Sequence, residues 1–194
     1  MNNKWIVLGV IGAVVLIIIM WAVGGYNGLV KSDEDLNKSW GNVESSYQRR
    51  ADLIPNLVST VKGYADFEKS TLVEVTNARA SATQVKVDPS DPTSFKKFEA
   101  AQNQVSSSLS KLLVVVEKYP DLKANQSFID LQRELAGTEN RINVERRKYN
   151  DAVKTYNVNV RRFPRNILAS MFGFDQRPYF ESKPGTENAP EVKF

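Results

Sequence analysis

Beyond residue 25 the apolar side chains recur at alternating steps of three and four, the spacing of one helical face. One track runs Trp40, Tyr47, Ile54, Val61 and another Leu29, Leu36, Val43, Leu57, Tyr64, broken only by Arg50 and by Asp33 at its start. This predicts a long helix, continuous with an apolar run before it. A second amphipathic segment begins near Asp66 and keeps Leu72, Val75, Ala78, Ala82 and Val85 on one side. Val87-Asp88-Pro89-Ser90-Asp91-Pro92 is a loop and a fresh helix start. The third segment carries Phe95, Phe98, Val105, Leu109, Leu112, Val116 and Tyr119 and closes at Pro120. The fourth, capped by Asn125 or Ser127, repeats Phe128, Leu131, Leu135, Ile142, Tyr149, Ala152, Tyr156 and Phe163 until Pro164. No stretch alternates as a strand does. The expected fold is all-α: an N-terminal transmembrane helix followed by an antiparallel four-helix bundle of long helices. After a flank at residues 1–4, the expected divisions are a span at 5–24, a bundle at 25–165, and a short amphipathic segment with a flexible tail at 166–194. Pro184-Gly185 and Pro190 argue against fixed structure from Ser182 onward.

The anchor is the run Trp5 to Val23, 19 uncharged residues in which only Gly9 and Gly12 interrupt the apolar side chains. At about 1.5 Å per residue it spans roughly 28 Å, close to the ~30 Å hydrocarbon core. Trp5 and Trp21 stand at its two ends, where an aromatic belt places them. It exceeds a signal peptide's apolar region, and only Lys4 charges its leading flank, so an uncleaved span is expected. Gly9 with Ala13, and Gly24 with Gly28, have the small-xxx-small spacing that lets two such helices approach closely. The flanking charges, Lys4 before the span and Lys31 and Lys38 after it, nearly balance. The bundle is expected outside the cytoplasm, as an uncleaved signal anchor leaves it.

Composition narrows the chemistry. The 194 residues include no histidine and no cysteine, and 26 Lys+Arg against 22 Asp+Glu leave a net charge of +4. Thiolate zinc sites, Cys nucleophiles, disulfides and histidine general bases are therefore absent. No phosphate loop, nucleophile elbow, dinucleotide fingerprint or calcium loop is present. No catalytic residue, metal, cofactor or small-molecule substrate is expected. Nucleic acid is not an expected partner, because the small charge excess makes no broad footprint and the aromatics occupy core rows.

Three constellations remain. Arg50 and Glu145 both fall on inward tracks, and buried charges are costly unless paired, so they form a candidate buried pair. Arg49, Asp52, Pro55 and Asn56 make a candidate interaction notch: Pro55 lacks the amide that would bond the carbonyl of residue 51, which Asn56 or a guanidinium from Arg49 or Arg50 could satisfy. Arg133, Arg147, Lys154 and Arg161 line one outer row of the fourth helix, with Arg141, Lys148 and Arg162 on the next. This basic stripe is either a solvated face or a contact for an acidic surface, from anionic lipid or a neighbouring subunit.

Tyr26-Asn27-x-Leu29-Val30, Trp40, Arg49-Arg50-x-Asp52-Leu53-Ile54-Pro55-Asn56-Leu57-Val58, Val61-Lys62-Gly63-Tyr64, Tyr119-Pro120-x-Leu122, Thr138-Glu139-x-Arg141-Ile142, Arg147-x-Tyr149-Asn150, Tyr156-Asn157 and Phe163-Pro164 together resemble the LemA family of bacterial membrane proteins. One position departs from that pattern: a histidine often precedes the glutamate where Asp66-Phe67-Glu68 stands. The resemblance implies a short N-terminal anchor, an all-α bundle and no established enzymatic activity. It also implies links to membrane organisation, including magnetosome-membrane formation, and to gene neighbourhoods of membrane proteases. The expected role is a non-enzymatic scaffold of the bacterial envelope, held in the bilayer and self-associating as a homo-oligomer. The alternative is an adaptor presenting clients to a membrane protease.

Overall fold

In the computed structural model, which describes residues 3–64 and 68–181, the chain is all-helical: α1 Asn3–Lys62, α2 Lys69–Gln84, α3 Pro92–Val116, α4 Pro120–Lys123, α5 Gln126–Arg161 and α6 Arg165–Phe172. Met1, Asn2, Ala65, Asp66, Phe67 and the tail from Ser182 lie outside the described residues.

Helix α1 runs 60 residues without a break, about 90 Å at 1.5 Å per residue. Among the described residues its N-terminal third holds the one stretch long and apolar enough to cross a membrane, and no residue of that apolar window is buried in the fold. Pro55 sits inside α1 without ending it. Asp91 caps α3 by accepting from the amides of Thr93 and Ser94, with Pro92 in the first helical position, where the missing amide costs nothing. Asn125 caps α5 by accepting from Phe128 N. Gly173, at φ +73°, closes α6 in the left-handed conformation that favours glycine.

The directions of the long helices follow from their contacts. Arg49 meets Glu134 and Ser32 meets Asn159, so α5 descends as α1 rises. Trp40 packs on Phe95 and Arg50 bonds Gln102, so α3 rises with α1. Two apolar clusters result. The one nearer the span gathers Leu29, Leu36, Trp40, Tyr47, Phe95, Phe98, Ile142, Tyr149 and Tyr156. The far one gathers Ile54, Leu57, Val61, Leu72, Val75, Val105, Leu112, Leu122 and Phe128.

The folded body continues past the boundary expected at residue 165. Leu168, Ala169 and Phe180 are buried in the near cluster. The extended segment 174–181 is held by two asparagines of α5. Asn157 Nδ2 donates to Arg177 O at 3.0 Å while its Oδ1 accepts from Arg177 N at 2.9 Å. Asn150 holds Phe180 in the same two-way manner, at 3.0 and 2.9 Å. Each side-chain amide thus stands in for a neighbouring strand and satisfies backbone groups that a helix would otherwise pair. Phe180 then stacks among Trp40, Phe95 and Tyr149.

Candidate functional site

Arg50 occupies the level between the two apolar clusters, where its side chain is 3% exposed. Its Nη1 donates to Glu139 Oε2 at 2.8 Å and to Ser106 Oγ at 2.9 Å. Its Nη2 donates to Gln102 through the side-chain oxygen at 2.7 Å and the carbonyl at 3.2 Å. One guanidinium thereby ties α1 to α3 and α5 at a single level, and Arg50 also lies 5.1 Å from the centroid of the Tyr47 ring. A buried arginine is tolerable only when bonded this fully.

Glu145 is buried too, but it is not the partner of Arg50. Six residues beyond Glu139, about 9 Å further along α5, it pairs instead with Lys148 at 3.0 Å. Its Oε2 and the Tyr149 hydroxyl, one turn on, are buried with no hydrogen-bond partner among the described residues. Burial raises the Tyr149 pKa, keeping the phenol neutral.

The carbonyl freed by Pro55 is satisfied from another helix than expected. Arg79 of α2 donates through Nε to Ala51 O at 2.7 Å, in place of Asn56, Arg49 or Arg50. Beside this bond lies a cavity of about 150 Å³ bordered by Glu44, Tyr47, Arg50, Arg79 and Gln102. The rest of the notch faces outward. Pro55 and Asn56 are exposed, Asp52 accepts from Gln48 at 2.8 Å, and Arg49 meets Glu134 at 2.9 Å. Arg49, Glu134, Gly137, Thr138 and Arg141 line an open depression between α1 and α5.

Every residue of the basic stripe, Arg133, Arg141, Arg147, Lys148, Lys154, Arg161 and Arg162, is exposed. Arg133 pairs with Asp130 at 2.8 Å and Lys148 with Glu145, so two of the seven charges are answered locally.

The small residues of α1 divide into two groups. A Cβ on Gly9, Gly12 or Gly24 would meet nothing within 4 Å, and Ala13 is exposed beside them. Gly25 and Gly28 instead admit α6: a Cβ would stand 2.7 Å from Leu168 Cδ1 at Gly25 and 3.5 Å from the Arg165 guanidinium at Gly28. Gly28 therefore serves a contact within the chain, and the second small-residue spacing is half used by the fold.

Arg177 is a further anchor that helical periodicity does not mark. It bonds Asp33 at 2.9 Å, and this bond and charge hold its pKa up although burial works against it. A signal for the asparagine clasps was present, since Tyr-Asn repeats at positions 149–150 and 156–157, one heptad apart on α5.

A LemA family model matches residues 39–194. Over 178 residues, 82% of the chain, the sequence is 29% identical to magnetosome protein MamQ 2 of Paramagnetospirillum magneticum and 27% identical to magnetosome protein MamQ of Magnetospirillum gryphiswaldense, covering 65% of each. Over 147 residues it is 26% identical to protein LemA of Metamycoplasma hominis, covering 76% of this chain and 64% of that one. The chain thus spans slightly less than two thirds of the length of these curated relatives.

Proposed function

This chain belongs to the LemA family, and on that footing we propose that it is a non-enzymatic, membrane-anchored scaffold: an antiparallel four-helix bundle of α1, α2, α3 and α5 that associates with copies of itself to organise a bacterial membrane. The observation that carries this reading is the continuity of α1. One unbroken helix leads from the apolar span into both apolar clusters, so pairing of spans would set the bundles at a fixed angle. Gly9, Gly12 and Ala13 leave one face of the span open to close helix approach. The magnetosome names of two relatives fit a membrane-organising role. The bundle is read as lying outside the cytoplasm, as an uncleaved signal anchor leaves it.

Chemical crosslinking of intact membranes tests the scaffold. It should give ladders above the 21.8 kDa monomer, and Gly9→Leu with Ala13→Leu should collapse them. A strictly monomeric pattern for the unaltered chain would sink the reading.

A second reading, an adaptor for a membrane protease, is favoured by the outward-facing Pro55 and Asn56 and by the open depression at Arg49, Gly137 and Arg141. Affinity capture with Asn56→Ala and Arg49→Ala should then lose one client or the protease. Identical partner lists would count against it.

A further inference from the structure

Helix α6 lies where α1 leaves the apolar span. Leu168 closes on Gly25, Arg165 on Gly28, and Tyr26 packs edge-on against Phe172 and Phe174 with ring centroids 4.8 and 5.9 Å apart. Gly25 is two residues past Val23, about 3 Å along the helix axis. Whatever depth the span takes in a bilayer, α6 shares the level of its end.

The outward side of α6 is divided: Asn166 and Ser170 are exposed along one edge, and Ile167 and Met171 along the other. Leu168 and Ala169 are buried on the folded body. A short helix on the surface of a soluble protein would turn polar residues outward. Here Ile167 and Met171, four apart and thus stacked in a stripe along α6, are 50% and 71% exposed, and Phe163, in the turn that precedes α6, is 76% exposed. Phe172 flanks the stripe, also exposed. Arg161 and Arg162 stand exposed just before it. Apolar side chains of this size left uncovered beside cations are the composition of a helix lying in the headgroup region.

We propose that α6 is a second membrane contact, an interfacial foot whose Phe163, Ile167 and Met171 enter the boundary between headgroups and acyl chains of the bilayer that α1 crosses. Arg161 and Arg162 take lipid phosphates at the same level. This rests on the reading of residues 5–23 as a membrane span. A bilayer is the occupant because Leu168, Arg165 and Phe172 seat α6 on Gly25, Gly28 and Tyr26, directly past the end of the span, and so hold the stripe at that level. The span holds α6 at the interface, so the stripe inserts without the translational cost of a separate binding event. With two points of attachment, the bundle is fixed in tilt as well as position.

The chain has no cysteine, so single substitutions carry an environment-sensitive fluorophore to one place each. Full-length protein is labelled at Ile167→Cys, Met171→Cys, Leu16→Cys or Val114→Cys and reconstituted in vesicles of phosphatidylcholine with one quarter phosphatidylglycerol, with and without spin-labelled quencher lipid. All four positions are exposed on the folded chain, so the labels leave its packing intact. Expected is quenching at Ile167→Cys and Met171→Cys of at least about half that at Leu16→Cys, given an insertion depth of about 5–10 Å, with Val114→Cys on α3 unaffected. Quenching at Leu16→Cys alone overturns the foot and leaves the span standing. No quenching at Leu16→Cys overturns the span reading and the foot with it. Blue-shifted emission at Met171→Cys without lipid quenching assigns the stripe to a second protein surface and overturns the proposal.

Discussion

Gly25 of α1 and Leu168 of α6 stand so close that a Cβ on the glycine would lie 2.7 Å from Leu168 Cδ1. A larger side chain must displace the Leu168 side chain, which at 6% exposure has little room to swing aside without moving α6, at a cost of about 1–3 kcal/mol. Gly25→Leu is therefore expected to loosen α6 and to speed trypsin cleavage at Arg161, Arg162 and Arg165. Gly24→Leu, one position earlier and facing open space, should leave the cleavage rate unchanged.

The bond from Arg79 to Ala51 O answers the amide that Pro55 lacks. Arg79→Met should cost about 1–2 kcal/mol by stranding that carbonyl. In a Pro55→Ala background, residue 55 can donate to residue 51 itself, and the same Arg79→Met substitution should cost less. Thermal unfolding of the four variants in detergent gives the coupling directly. Full additivity would show that the guanidinium acts through something other than this carbonyl.

Asn157 carries two hydrogen bonds to the backbone of Arg177. Asn157→Ala removes both and should speed amide exchange at Arg177 and Phe180 by about tenfold or more, one such bond being worth about 1 kcal/mol and the stranded groups more. Amides in the middle of α1 and α5 should keep their protection. Uniform loss across the chain would make the clasp a determinant of the whole fold.

Burial raises the pKa of Glu99 above its ordinary 4.5, against the lowering charge of Arg146. The folded state then holds the proton more tightly than the unfolded chain does. Between 4.5 and the raised value the unfolded state binds fewer protons, so the contribution of Glu99 to stability falls as pH rises. Denaturant midpoints of the unaltered chain should decline relative to Glu99→Gln as pH is raised from about 4.5, and flatten once the carboxyl is ionised in both states. A relative rise over that interval would contradict the sign.

Helical periodicity, being a local property, was legible from the chain alone. Steps of three and four located α1, α2, α3 and α5, the start of α5 was narrowed to Asn125 or Ser127, of which Asn125 is the cap, and the 19-residue apolar run marked the candidate span. The one-turn α4 escaped it, because four residues hold no period. That Arg50 and Glu145 would be buried followed from which face they occupy. That Arg50 bonds Glu139, Gln102 and Ser106 while Glu145 pairs with Lys148 did not follow, because partners across helices depend on axial register. The same reason hid Arg79 as the donor to Ala51 O, and left Gly28 readable as a helix–helix surface when it is filled by Arg165. The extended segment 174–181 carries no helical period at all, and its order comes from Asn150, Asn157 and the aromatic pocket around Phe180. Spacing along one helix is written in consecutive residues; contacts between helices exist only once packing has chosen which turns lie level.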